Sequence, residues 1–366
     1  MLKIINTSTN TPMIIRPGEK LEAILKKRNI KQKELAIRTD VSEKHISTII
    51  NGSKDISVSF AKKLEYALGI SAEVWIRLQA QYDQEMHEAE ECNNISEDEI
   101  KLLKPLKEIT EYAISEGLIT ENKNKVNLVL GLRSILRVSN LMLVPQIPYY
   151  AAYRAQVSKN VNVDEYVLYA WQCICEKLTE NIDIADVVDT QRLLELIPEI
   201  KKVMFERGNV IPRKLESIFA QCGVAFKIVK HFRGAPVQGF IKYSTNDRLI
   251  LCMTIRQARA DVFWFTLFHE IGHIINGDIN NLFVDFYSVS GDIEGRADEF
   301  AGNCLVDYEA YKKFVMGRDY SLSRIETFAK SQNVKRDIII GRLQRDNILG
   351  WNDKLNKYIT KYVWAE

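Results

Sequence analysis

Two histidines four residues apart, with a glutamate after the first, have the types and spacing to hold a metal ion and work with it. The run Phe265-Thr266-Leu267-Phe268-His269-Glu270-Ile271-Gly272-His273 carries this HExxH pattern. On a helix, residues four apart share a face, so both imidazoles can point at one ion. Glu270 then lies beside them and can reach a metal-bound water. Two histidines leave a catalytic zinc site incomplete, because such a site wants three protein ligands and an open position for water. The best third ligand is Glu294, in Asp292-Ile293-Glu294-Gly295-Arg296-Ala297-Asp298, with 20 residues between it and His273. Asp278, Asp285 and Asp292 are weaker rivals. Asp298, four residues beyond Glu294, suits a carboxylate that orients a ligand histidine from behind. Glu299 is five positions from Glu294 and points elsewhere on the helix.

The aromatic-rich approach, the glycine before His273 and the ExxxD helix add specificity to the motif. The stretch from Val237 to Asp278, with Glu294-Gly295-Arg296-Ala297-Asp298-Glu299-Phe300-Ala301, resembles the ImmA/IrrE family of zinc metallopeptidases. That resemblance implies His269, His273 and Glu294 as zinc ligands and Glu270 as general base, in a gluzincin-like arrangement. Zinc would lower the pKa of its water toward ~7. Glu270 would take the proton as the hydroxide attacks a peptide carbonyl, then deliver it to the leaving amine. A further donor for the oxyanion is expected, with His231, Tyr243, Tyr287 and Arg296 as unranked candidates.

A second constellation lies near the N-terminus. Two short helices, Lys31–Arg38 and Glu43–Ile50, are joined by Thr39-Asp40-Val41, with Val41 as the apolar plug and Ser42 as the cap of the second. Ile46, Ile49 and Ile50 form the inner stripe of that second helix. Glu43, Lys44, His45, Ser47 and Thr48 are left nearer the outer face, and Gln32, Lys33 and Lys54 flank it, suited to phosphates. The stretch from Lys31 to Ser71 closely resembles the Xre/Cro-type helix-turn-helix, and the segment that follows it resembles HigA-type antitoxin regulators. The resemblance implies operator DNA as a partner, a small toxin or protein substrate as another, and a homodimer.

The elements that must position these groups follow from charge and periodicity. Residues 13–82 carry 13 Lys/Arg against 8 Asp/Glu, whereas residues 83–99 carry eight acids and no Lys or Arg. This divides the chain into a basic five-helix, lambda-repressor-like domain (13–82), an acidic helical connector (83–99), a helical scaffold (100–215) and the HExxH domain (216–366). Pro145 and Pro148 break the scaffold. In the last domain, Val224–Lys230, Val237–Tyr243 and Asp247–Met253 read as a small sheet. Long helices follow, over Gln257–Asn276 and from Asp292 to about Val306. The fold class is therefore mainly α with a small α+β part.

Composition excludes other classes. An apolar fraction of 46% and a charged fraction of 27% rule out a mostly disordered or collagen-like chain. No uncharged apolar run approaches the ~20 residues that span a bilayer, so no membrane partner is expected. Six scattered cysteines without a CxxC pair read as reduced core thiols of a cytoplasmic protein. His87, in the acidic connector, reads as a solvated side chain. Two functions stay open. One is a regulator whose zinc domain cleaves a protein partner or itself. The other is an antitoxin or autorepressor whose zinc domain is a sensor or docking module without turnover.

Overall fold

The computed structural model describes residues 15–147, 163–244, 246–279 and 291–364. Met13, where the first domain was placed to begin, the helix break at Pro148, and the candidates Asp285 and Tyr287 lie outside the described residues. The chain divides into two compact units, Met1–Glu97 and Asp98–Glu366.

The first unit is built from α1 (Pro17–Lys27), α2 (Gln32–Thr39), α3 (Glu43–Ile50), α4 (Val58–Leu68) and α5 (Ala72–Asn94). Ser42, Ser57 and Ser71 start three of these helices by accepting the backbone N–H groups of His45, Phe60 and Glu73. Each satisfies a donor that the first helical turn leaves unpaired. The apolar faces meet in one core of Leu21, Leu35, Ile46, Leu64 and Trp75, all fully buried. Gly18 lets α1 lie directly on α3, since a Cβ there would overlap the Ile49 carbonyl oxygen. Between α2 and α3, Asp40 takes the left-handed conformation (φ 48°). Val41 N–H then donates back to the Ala36 carbonyl at 3.1 Å. Val41 ends half-buried at the rim of the core, less enclosed than a plug in the turn would be. The residue that turns the chain after α3 is Gly52 (φ 73°), whereas Asn51 keeps helical geometry.

Helix α5 runs on through most of the acidic stretch. The last acid of that stretch, Glu99, is fully buried and not solvated. It accepts Arg133 Nε at 3.0 Å and the Leu141 N–H at 2.8 Å.

The second unit continues with α6 (Glu97–Leu102), α7 (Lys107–Ser115), α8 (Lys125–Leu136), a 3-10 turn (Leu141–Gln146), α9 (Glu165–Thr179), α10 (Thr190–Val203) and α11 (Ile211–Ala220). Three strands follow, β1 (Val224–Ile228), β2 (Gly239–Tyr243) and β3 (Leu249–Met253). Then come α12 (Ala260–Asn276), α13 (Gly291–Leu305), α14 (Tyr308–Met316), α15 (Leu322–Ser331) and α16 (Arg336–Arg345). The segment Lys125–Gln146 is long and apolar enough to cross a membrane by length and composition. Here it is two elements, broken at Arg137 (φ 53°), with Val129, Leu132, Leu136 and Leu141 fully buried.

The sheet order is β1-β3-β2. β1 pairs parallel with β3 (Val224 opposite Leu249), and β2 pairs antiparallel with it (Gly239 opposite Met253). β3 is the central strand, and all five of its residues are buried. α12 is apolar on most of its circumference, and Phe263, Trp264, Leu267, Phe268, Ile271 and Ile274 are at most 4% exposed. A helix of that kind belongs at the centre of a core. It starts at Ala260 and not at Gln257, because Ala258 has a left-handed backbone (φ 56°). β2 is an edge strand, and its start at Gly239 stands beside the HExxH turn of α12.

Candidate functional site

In the second unit, α12 carries His269, Glu270 and His273, and α13 crosses it closely enough to bring Glu294 and Asp298 alongside. The crossing is close because Gly272 faces Ala297. A Cβ at Gly272 would lie 3.1 Å from the Ala297 Cα, tighter than ordinary contact. His269 Nε2 is 3.0 Å from His273 Nε2 and 3.2 Å from Glu294 Oε2. His273 Nε2 is 3.7 Å from Glu294 Oε1. One ligand atom from each of the three residues falls within 4.8 Å of the others. Two imidazole nitrogens and a carboxylate oxygen converging at this range can hold a divalent cation.

The far sides of the two rings are also occupied. His269 Nδ1 meets Asp298 Oδ1 at 2.8 Å, and Asp298 Oδ2 accepts Arg345 Nη2 at 2.7 Å. The same guanidinium lies 4.0 Å above the Phe265 ring. His273 Nδ1 faces Asp278 Oδ2 at 3.6 Å. Both rings therefore turn Nε2, and not Nδ1, toward the shared point.

The charges in this cluster move the ionisations. Burial pulls His269 down, but Glu294, Glu270 and Asp298 outweigh it and lift it to about 9. Burial and the charge of His269 hold His273 below the ordinary histidine value. The hydrogen bond from His269 lowers Glu294. Burial raises Glu270, against the pull of His269 and with the help of Glu294, to about 7. A carboxylate poised there can accept and return a proton near neutrality.

Glu270 is half-buried, with its carboxyl against the Cα of Gly239, where a Cβ would overlap Oε1. It opens onto a cleft of about 980 Å³. His269, Glu294 and Asp298 line that cleft, with Gln238, Phe265, Thr266, Arg345 and Trp351 further along it.

The structure thus brings together all five residues expected at this centre. Asp278 is not a fourth ligand candidate, since it stands behind His273. Asp292 and Glu299 are exposed and outside the ligand cluster. Of the oxyanion candidates, His231, Tyr243 and Arg296 are not among the residues lining the cleft. Arg296 instead donates to Asp278 Oδ1 at 3.0 Å. Sequence reading missed Arg345, whose distance in the chain from Asp298 gave no signal.

In the first unit, α3 presents the expected outer face. Glu43 and Lys44 are exposed, and His45, Ser47 and Thr48 are half-buried. Lys33 and Lys54 are exposed beside it, with Gln32 half-buried at the start of α2. His45 is engaged. Its ring packs edge-on against Phe60 at 5.1 Å, and its Nδ1 is 3.3 Å from Lys54 Nζ. Burial, then the charges of Lys54 and Lys63, hold its pKa below the ordinary value. Thr48 Oγ1 donates to the His45 carbonyl at 2.8 Å. Glu43 and Lys44 are the exposed side chains of α3, and Ser47 Oγ accepts Asn51 Nδ2 at 3.4 Å.

A family model described as Helix-turn-helix matches residues 21–75. Residues 21–75 are a helix-turn-helix domain. This helix-turn-helix makes the first unit a DNA-binding domain. Among solved structures, the chain is similar to a putative antidote protein of a plasmid maintenance system from Nostoc punctiforme. The identity is 34% over 21% of this chain and 88% of that one, with a TM-score of 0.20. No curated protein matches the chain.

Proposed function

We propose that the protein is a DNA-binding regulator of the antitoxin type whose second unit is a zinc-dependent metallopeptidase, as the resemblance to ImmA/IrrE peptidases implies. The observation that carries the catalytic part is Glu270. It stands beside a convergent His269–His273–Glu294 donor set, its carboxyl fitted against Gly239 and its pKa raised to about 7. A purely structural metal site has no use for such a base.

The donor set fits zinc. Both ring Nδ1 atoms are turned to carboxylates, leaving two Nε2 atoms and one carboxylate for the ion. When bound, zinc would act as a Lewis acid on a water and on the scissile carbonyl. The rest falls to the chain. The Glu270 carboxylate takes a proton from the attacking water and gives it to the amine as the C–N bond breaks. Asp298 holds the His269 ring, and the cleft receives an extended segment of the substrate protein. The helix-turn-helix directs the molecule to operator DNA, as a homodimer on two half-sites. A small toxin or the cleaved protein is the second partner.

The test is digestion of a peptide library by the purified chain with zinc, followed by mass spectrometry. Wild type should cleave, and Glu270→Gln should bind zinc, stay folded and leave the peptides intact. Glu270→Gln that cleaves like wild type ends the peptidase reading. Zinc binding without cleavage by either leaves the second unit a sensor or docking module.

A further inference from the structure

The two histidines have different surroundings behind their rings, and the difference points to a role for Asp278. Gly277 ends α12 in the left-handed conformation (φ 73°), and the Asp278 N–H donates to the His273 carbonyl at 3.1 Å. This turn folds Asp278 back beneath the last helical turn. Its side chain lands beside His273, where both residues are 2% exposed. Asp278 Oδ1 accepts Arg296 Nη2 at 3.0 Å. Asp278 Oδ2 and His273 Nδ1 are both buried without a hydrogen-bond partner among the described residues, and they face each other at 3.6 Å.

A buried carboxylate oxygen and a buried ring nitrogen rarely stay unpaired in a folded protein. A small rotation of either side chain closes this gap to hydrogen-bond range. A purely structural role for Asp278 explains less. A negative charge at a helix C-terminus opposes the helix dipole, so it does not serve α12. Its other partner, Arg296, has a side chain that is 51% exposed, so that contact leaves the second oxygen of the buried carboxylate unaccounted for.

We propose that Asp278 is a positioning residue for His273. Its Oδ2 accepts the His273 Nδ1–H and so fixes the ring with Nε2 toward the ion, while Arg296 holds Asp278 in that pose. Asp298 does the same for His269, braced by Arg345. Each ligand histidine then stands between the ion and a carboxylate clamped by an arginine. α13 supplies both a ligand, Glu294, and a brace, Arg296, which couples one helix to two sides of the centre. This inference rests on the reading of His269, His273 and Glu294 as a zinc site.

The test is zinc affinity of the full chain, read by competition with a chromophoric chelator, beside thermal unfolding in excess chelator. Asp278→Asn should weaken zinc binding by roughly 10–100-fold, with the metal-free unfolding midpoint unchanged. Arg296→Ala should lose less, and in the Asp278→Asn background it should cost nothing further, since it acts only through the carboxylate. In zinc-loaded protein with 15N-labelled histidine, His273 should carry its proton on Nδ1. Zinc affinity within twofold of wild type in Asp278→Asn, or a His273 protonated on Nε2, overturns the inference. Should Asp278→Asn fail to fold, Arg296→Ala decides, and an unchanged affinity there counts against it. Wild type that binds no zinc at all fails the metal reading itself and the inference with it.

Discussion

Glu270 depends on a residue with no side chain. The Cα of Gly239 forms the wall against which the Glu270 carboxyl rests. Gly239→Ala should displace that carboxyl, leave zinc content near one ion per chain, and lower cleavage by roughly the 10²–10⁴-fold that a positioned base contributes. Activity and metal analysis on the same preparation separate the two effects. The ionisations give a second test. His269 sits at about 9 against an ordinary 6.5, and Glu270 at about 7 against 4.5. Both folded values lie above the unfolded ones, so both groups favour the folded state when protonated. In chelator-stripped protein the contribution of Glu270 should therefore fall as pH rises through 4.5–7, opposed below 6.5 by His273, which folding holds neutral, and that of His269 should fall through 6.5–9. Thermal midpoints across pH 5–9 check this. Zinc must displace the His269 proton, so its affinity should rise about tenfold per pH unit below 9. At this scale the sequence was informative for groups that lie close along the chain. His269, Glu270 and His273 share two helical turns, and the Glu294–Asp298 spacing repeats the same face. Arg345 reaches Asp298 across 47 positions, and no local pattern announces it. The end of the helix after Asn276 was legible, but the packing of Asp278 behind His273 was not.

Helix packing decides whether these residues meet. α12 and α13 approach closely at Gly272 and Ala297. Gly272→Val adds branched bulk against the Ala297 backbone, and overpacking of this kind costs about 1–3 kcal/mol. It should lower the unfolding midpoint of the second unit and weaken zinc binding, while DNA binding by the first unit is unchanged. Calorimetry with zinc titration reads both, and wild-type zinc affinity would show that the close crossing is dispensable. Most helices were legible because their apolar spacing and caps agree. Ser42 marked a start that the structure reproduces. Boundaries slipped where backbone conformation overrode composition, as at Ala258 before α12. The three strands were legible as apolar runs, but the order β1-β3-β2 was not. That order depends on pairing across the chain, and it makes β2 the edge that borders the cleft.

The whole molecule joins a helix-turn-helix domain to a unit with its own core, and each should keep its chemistry alone. The first unit ends at Glu97. A chain of residues 98–366 should lose operator binding entirely and retain zinc, as read by gel shift and metal analysis. In the full chain, DNA affinity should fall steeply with salt, because Lys33, Lys44 and Lys54 lie exposed about the α3 face. The change of charge near residue 83, from a net of +5 over residues 13–82 to eight acids without a cation, was legible, but it falls inside α5 and the first unit runs on to Glu97. The burial of Glu99 was not, because its partner Arg133 lies 34 positions away. The most direct test of the account is the metal content of the purified full-length chain, measured by mass spectrometry for wild type and for His269→Ala/His273→Ala. Wild type should carry about one zinc per chain and the double variant none. A wild type without bound metal, or a double variant that keeps its zinc, would contradict it.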